Sequence, residues 1–432
     1  VKTPPGSEPG PRLRTRLFPT RSARWSPAAT AGILLVLLLT SLLLGWFGIG
    51  DLGEALTYTG RITGAILVLA AVTTLLGAAA VVDHRFRNGF RYSGLVVLIG
   101  TATAVLANGM VLLETFKDGD CTAYRTLWGL LTAGSLWAFW VVLRTGVVIP
   151  APKRVAAAVI VSLALGIANF GYDRLYQPYQ HGAKPVVTIN VEKPVLRKDR
   201  RAFAVPVDLR LENHSDVGFY VLGTEFHAMG ERVPLSRKDR LREQWRTDAE
   251  QQPEFQETHP LSRREIHQPG DLVTANPWMP VGSWIEASDA FVTRMIVQLP
   301  IDTPYDRLAF YATASFARKD RLDVERMGLN GYTWQGGKAP RWMTKEVDSV
   351  VYRARVHENN MLDEHTRDPR YVTVYWQFGT HGAGLVETIT RNGEEDREIT
   401  GKEARELVNR YGLRRVETGA VERTLWDIKA QR

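Results

Sequence analysis

Residues 28–50 read AATAGILLVLLLTSLLLGWFGIG, a run without one ionisable side chain. At about 1.5 Å rise per residue, a helix of this length crosses a hydrocarbon core about 30 Å thick. Four further apolar runs follow, near residues 60–82, 94–115, 126–149 and 155–172. The expectation is a transmembrane bundle of five helices over 28–172, with the rest of the chain hung from it. Residues 1–27 hold Pro, Gly, Ser and Thr with Lys2, Arg12, Arg14, Arg16, Arg21 and Arg24 against the single acid Glu8. They carry no apolar period and read as a disordered basic arm. The first run is of spanning length and four more such runs follow, so it reads as an anchor rather than a signal peptide.

Charge then orients the bundle. The chain has a formal net charge of +8, and all of that excess falls before residue 173; from there on, basic and acidic residues cancel. A basic second half is what a nucleic-acid partner would require, so that class is set aside. Basic residues gather in the arm, in the second loop (Arg85, Arg87, Arg91) and in the fourth (Arg144, Lys153, Arg154). The alternate loops hold only Arg61, and Lys117 with Arg125. Positive residues stay on the cytoplasmic side, which puts the N-terminus in the cytoplasm and, after five spans, the remainder outside. Val1 reads as a GUG start, and the Arg-, Ala- and Gly-rich usage as a GC-rich bacterial genome. The expected location is therefore the plasma membrane of a bacterium, with the lipid bilayer as first partner.

The spans are chemically quiet. Proline is absent from 28–149, and Asn108 and Asn169 are the deepest strongly polar residues; both read as interhelical hydrogen-bonding groups. Small residues four apart (Gly60 with Gly64, Gly100 with Ala104, Ala164 with Ala168) let helices approach closely, first for packing and second as homo-oligomer faces. Cys121 is the sole cysteine, so an intramolecular disulfide is excluded.

A short connector over 173–184, with Tyr176 and Tyr179 suited to the membrane interface, leads into a different period. Phe203, Val205, Val207, Leu209 and Leu211 alternate with polar or small residues, as a half-buried strand does. Comparable strands are readable at 186–191, 218–222, 291–299, 308–316, 350–356 and 371–378. Residues 185–384 thus read as an antiparallel β-sandwich of immunoglobulin-like architecture, interrupted by a polar insertion at 231–290 with a possible amphipathic helix at 236–251. Residues 385–432 read as a small α+β appendage. It holds an Asn392-Gly393 hairpin turn, a Thr400–Glu403 capping box, and a helix closed by Gly412.

Catalytic signatures are missing: no His-Glu-x-x-His, no Gly-x-Ser-x-Gly, no phosphate-binding or dinucleotide loop. No catalytic residue and no cofactor is implied. Two turn-rich loops bracketed by indoles resemble recognition loops. One carries Trp334, Lys338, Arg341 and Trp342; the other carries Trp278 and Trp284. If these rings tuck into the core, they are packing residues instead. A polar stretch with His357, Glu358, Asp363 and His365 has the donor types for a divalent metal, although without standard ligand spacing. The function expected is a non-catalytic, membrane-anchored, extracytoplasmic binding or assembly module, its partner a protein or an envelope glycan. The alternatives are a channel or transporter accessory subunit, and a cell-envelope enzyme at the outer face.

Overall fold

A computed structural model describes residues 25–87, 90, 92–144, 166, 168, 184–232, 246, 270–335, 339–343, 347–379, 382–395, 397 and 399–431. The chain forms two compact units: residues 1–180 with 358–368, and residues 181–357 with 369–432.

Four helices in the first unit are long and apolar enough to cross a membrane. They are α1 (Pro27–Glu54), α2 (Tyr58–Val82), α3 (Ser93–Asp118) and α4 (Thr122–Arg144). The fifth run, 155–172, and with it Ala164 and Asn169, lies outside the described residues, apart from isolated helical positions. Ser26 starts α1: its hydroxyl accepts from Ala29 N at 3.1 Å, with Pro27 in the first turn, where a missing N–H costs nothing. Thr57 caps α2 in the same way, accepting from Gly60 N at 3.0 Å. Tight glycine contacts set the packing. A Cβ on Gly48 would lie 2.8 Å from the Gly64 carbonyl, and one on Gly100 would lie 2.8 Å from the Gly77 Cα. Gly64 and Gly100 therefore serve contacts inside the bundle, and Ala104 is fully buried there. Asn108 donates to Thr40 Oγ1 at 3.0 Å, so it ties α3 to α1 as an interhelical bond. Leu42, 69 % exposed, and its neighbour on the next turn, Trp46, look outward as lipid-facing side chains do.

The same unit contains residues 358–368, which form a short helix, α5 (Met361–Thr366). Asn360 Oδ1 caps it by accepting from Asp363 N at 2.9 Å. Leu362 enters the core formed by Leu44, Phe47, Val111 and Trp128. Met361 N donates to the buried Asp51 carboxylate at 2.7 Å, and Leu56 N donates to Asn359 O at 3.3 Å. Asp120 N and Cys121 N both donate to Thr366 O at 3.0 Å. The backbone bonds to Asp51, Leu56, Asp120 and Cys121 lie where α1 gives way to α2 and α3 to α4.

The second unit is mostly antiparallel sheet. Its strands are β1 (Val186–Val191), β2 (Val195–Leu196), β3 (Ala202–Glu212), β4 (Phe219–Glu231) and β5 (Asp271–Asn276). Next come β6 (Ser283–Ile285), β7 (Ala290–Pro300), β8 (Arg307–Arg318), β9 (Leu322–Val324) and β10 (Gly328–Tyr332). The last five are β11 (Asp348–Glu358), β12 (Arg370–Gly379), β13 (Gly382–Arg391), β14 (Arg414–Glu417) and β15 (Val421–Thr424).

Among the described residues they make three sheets: β1, β2, β3 and β7; β4, β5, β6, β8, β14 and β15; and β9 to β13. The middle sheet contributes to two cores. Phe226, Phe310, Ala312, Ala314 and Phe316 pack with Val205, Val207, Leu209 and Leu211 of the first sheet. Leu222 and Ala317 pack with Val372, Val374, Leu385 and Ile389 of the third. A strand buried on both faces loses its polar alternation, and β4 and β8 are buried along almost their whole lengths.

The C-terminal residues join these sheets. β13 pairs with β12, while β14 and β15 pair along β8. Helix α6 (Gly401–Tyr411) lends Leu407 and Tyr411 to the second core and ends at Gly412, whose φ is +62°. Two local expectations need correcting. Gly393 takes its turn conformation at φ +84°, but no strand follows it among the described residues before α6. Thr400 occupies the N-cap without a side-chain bond, and the Glu403 carboxylate is held by Arg397 at 2.7 and 2.5 Å instead of reaching back. The expected helix at 236–251 falls outside the described residues, apart from one helical position.

Candidate functional site

The four indoles separate into three environments. Trp278 is only 4 % exposed and belongs to the first core, which corrects its reading as a surface ring. Thr224 on β4 builds its socket: Oγ1 accepts from Trp278 N at 3.1 Å and from Met279 N at 2.9 Å. The indole Nε1 donates to Glu225 O at 3.1 Å and Thr313 O at 3.3 Å, so the polar end of the ring is satisfied inside the protein. Trp342 is half-buried; its Nε1 donates to Glu395 O at 3.2 Å, and its ring meets Tyr375 edge-on at 5.3 Å. Trp284 is 57 % exposed, with the Lys319 ammonium 5.2 Å over its ring.

Trp334 is 46 % exposed and starts a run of aromatic rings. It lies 4.8 Å from Tyr332 and 5.5 Å from Phe378, and Phe378 lies 5.4 Å from Trp376. Trp376 in turn lines a small, mostly apolar void of about 10 Å³ with Gly223, Pro277, Val281, Tyr352 and Leu385. Trp334 packs against Phe378 and Trp342 against Tyr375. These strand positions have opposite parity and so point to opposite faces of β12. The two indoles do not form one surface. Arg341 is exposed, and Lys338 lies outside the described residues.

The metal reading of the His357–His365 stretch is not supported by its geometry. His357 Nε2 meets Glu325 at 2.9 Å, Glu358 meets Arg367 at 3.3 Å, and His365 Nδ1 meets the Met361 carbonyl at 2.9 Å. Asp363 accepts from the Asn360 amide at 2.9 Å. The potential donors are turned to separate partners, and among the described residues no group of three or more His, Cys, Asp or Glu is placed to hold an ion.

Sequence reasoning missed a polar pair inside the β unit. Glu225 and His227 sit two apart on β4 and therefore share a face. His227 Nδ1 lies 2.9 and 3.0 Å from the two carboxylate oxygens of the fully buried Glu225. The imidazole stacks on Tyr311 at 4.7 Å, and Gly382 packs beside its Nε2. Nearby, Glu387 accepts from Ser315 Oγ at 2.8 Å and from Arg415 at 2.8 and 3.1 Å. The legible signal was Glu-x-His inside the otherwise apolar FYVLGTEFHAMG.

Burial raises the Glu225 pKa, and only in part does the hydrogen bond from His227 offset this. The sign follows directly. A carboxyl harder to ionise in the folded chain favours folding below its ordinary pKa, and that contribution is lost as pH rises toward the folded-state value. Glu225→Gln should flatten this part of the pH–stability profile, as read from urea unfolding of the full chain between mildly acidic and neutral pH.

No family model and no curated protein matches this chain. Among solved structures, the sporulation control protein Spo0M from Bacillus subtilis aligns over 50 % of this chain and 93 % of its own length, at 7 % identity. The TM-score of 0.19 leaves that alignment without weight for fold or function.

Proposed function

We propose that this chain is a non-catalytic, membrane-anchored binding or assembly module of a bacterial cell envelope, with its β unit outside the cytoplasm as an immunoglobulin-like sandwich elaborated by a further sheet. The observation that carries the binding reading is the exposed Trp334, held in place by Tyr332 and Phe378. An accessible aromatic ring steadied by neighbouring rings is a usual anchor for a protein or glycan partner. The channel and enzyme alternatives have less support: the deep Asn108 is engaged by Thr40, and the Glu225–His227 pair is almost closed to solvent.

Residues 358–368 support the topology. They pack at the end of the bundle where α4 begins, and Arg144 ends α4 roughly 30 Å away along its axis. The run 155–172 is apolar and of spanning length, which suits a fifth span that returns the chain to that end. Together with the basic second and fourth loops, this favours a cytoplasmic N-terminus and an extracytoplasmic β unit.

A photo-crosslinking amino acid at position 334, incorporated in living cells, should capture one dominant envelope protein or glycan, whereas the same probe at the buried position 278 should capture none. Trp334→Ala should leave thermal unfolding of the full chain nearly unchanged and weaken binding of the captured partner by about 2 kcal/mol. Equal labelling from both positions, or a large loss of stability on Trp334→Ala, would remove the proposed surface.

A further inference from the structure

Strand β7 is eleven residues long and lies at the rim of its sheet. It pairs with β3 in unbroken antiparallel register from Ala202↔Pro300 to Glu212↔Ala290. Among the described residues, no strand pairs with its other side. Proteins guard such rims with bulges, internal prolines or free charges. The β3–β7 register contains no bulge, and the proline stands at the very end. The single charge along it, Arg294, is engaged by Asp208 at 2.7 and 2.9 Å and by Glu192 at 2.5 Å. On either side of Arg294, Val292 and Ile296 are 60 % and 58 % exposed on the same face.

This pattern is self-complementary. We infer that β7 is the interface for a second copy of this chain, its partner β7 added antiparallel about a two-fold axis through residue 294. In that register each Val292 faces the partner's Ile296, which pairs apolar with apolar in both halves, as an isologous interface requires. The two Arg294 side chains meet at the centre, and each brings two carboxylates, so guanidinium repulsion is offset within the row. Shifting the register by two would place an arginine against an aliphatic side chain. The unpaired backbone groups of the rim would then be satisfied along the whole strand.

The full chain in detergent or nanodiscs, at micromolar concentration, should have the mass of a dimer. Val292→Lys with Ile296→Lys should raise the dimer dissociation constant at least tenfold while leaving the circular dichroism spectrum of the folded chain unchanged, because both side chains face solvent within each copy. In a Cys121→Ser background, Arg294→Cys should form an interchain disulfide, since directly opposed residues sit about 4.5–5.5 Å apart between Cα atoms. Val292→Cys alone should not. A monomeric wild-type chain, a dimer untouched by the double lysine variant, or a crosslink at 292 rather than 294 would overturn the assignment.

Discussion

Trp278→Ala is expected to destabilise the β unit by about 3–5 kcal/mol, the range for removing a buried aromatic side chain. The ring fills the first core beside Phe291, its centroid 6.4 Å away, and its N–H holds two strand carbonyls. Truncation leaves both a cavity and two weakened acceptors. Urea unfolding of the full chain in detergent, followed by circular dichroism in the strand region, should show the midpoint move to much lower urea. Trp284→Ala, at an exposed position, should move it by less than about 0.5 kcal/mol. Equal effects at the two sites would contradict their placement.

Arg307→Met is expected to cost about 3–5 kcal/mol as well, by another route. The guanidinium is mostly buried at the start of β8, where it holds Glu231 and, at 2.9 Å, Glu422. Removing it takes the guanidinium away from Glu231, whose side chain is itself largely buried. Adding Glu231→Leu to Arg307→Met should therefore restore much of the loss, because a buried pair replaced by apolar groups is often close to neutral. A double variant less stable than Arg307→Met, measured by the same unfolding assay, would show that the charge pairing is not what holds this corner.

The helices were legible because lipid-spanning runs leave an unmistakable composition, and β3 and β7 because a strand with one wet face alternates. β8 was read at 308–316, close to its observed bounds, but β4 was harder to bound. With both of its faces covered, GTEFHAMG has no wet side by which to count, and β4 extends well past the 218–222 stretch that could be read. Trp278 was misread for a related reason. Its Pro- and Gly-rich neighbourhood has the composition of a surface loop, and the hydroxyl that organises it comes from Thr224, far upstream. The stretch around α5 reads as polar filler, yet Leu362 and the backbone of Met361 give it a place in the helical unit. Sequence does carry the Asn360 cap, but nothing in a cap names what the helix packs against. Trp334 is 46 % exposed, yet it packs against Phe378 of β12, a contact that its own neighbours in sequence do not announce.

The central claim is that the chain is anchored in a bacterial plasma membrane with its β unit on the far side from the basic arm. Paired reporter fusions at the C-terminus, expressed in a bacterial host, test it most directly. The account predicts a phosphatase that is active only outside the cytoplasm, and a fluorescent protein that folds only inside it to stay dark. A bright fluorescent fusion with a silent phosphatase would put the β unit in the cytoplasm and contradict the account.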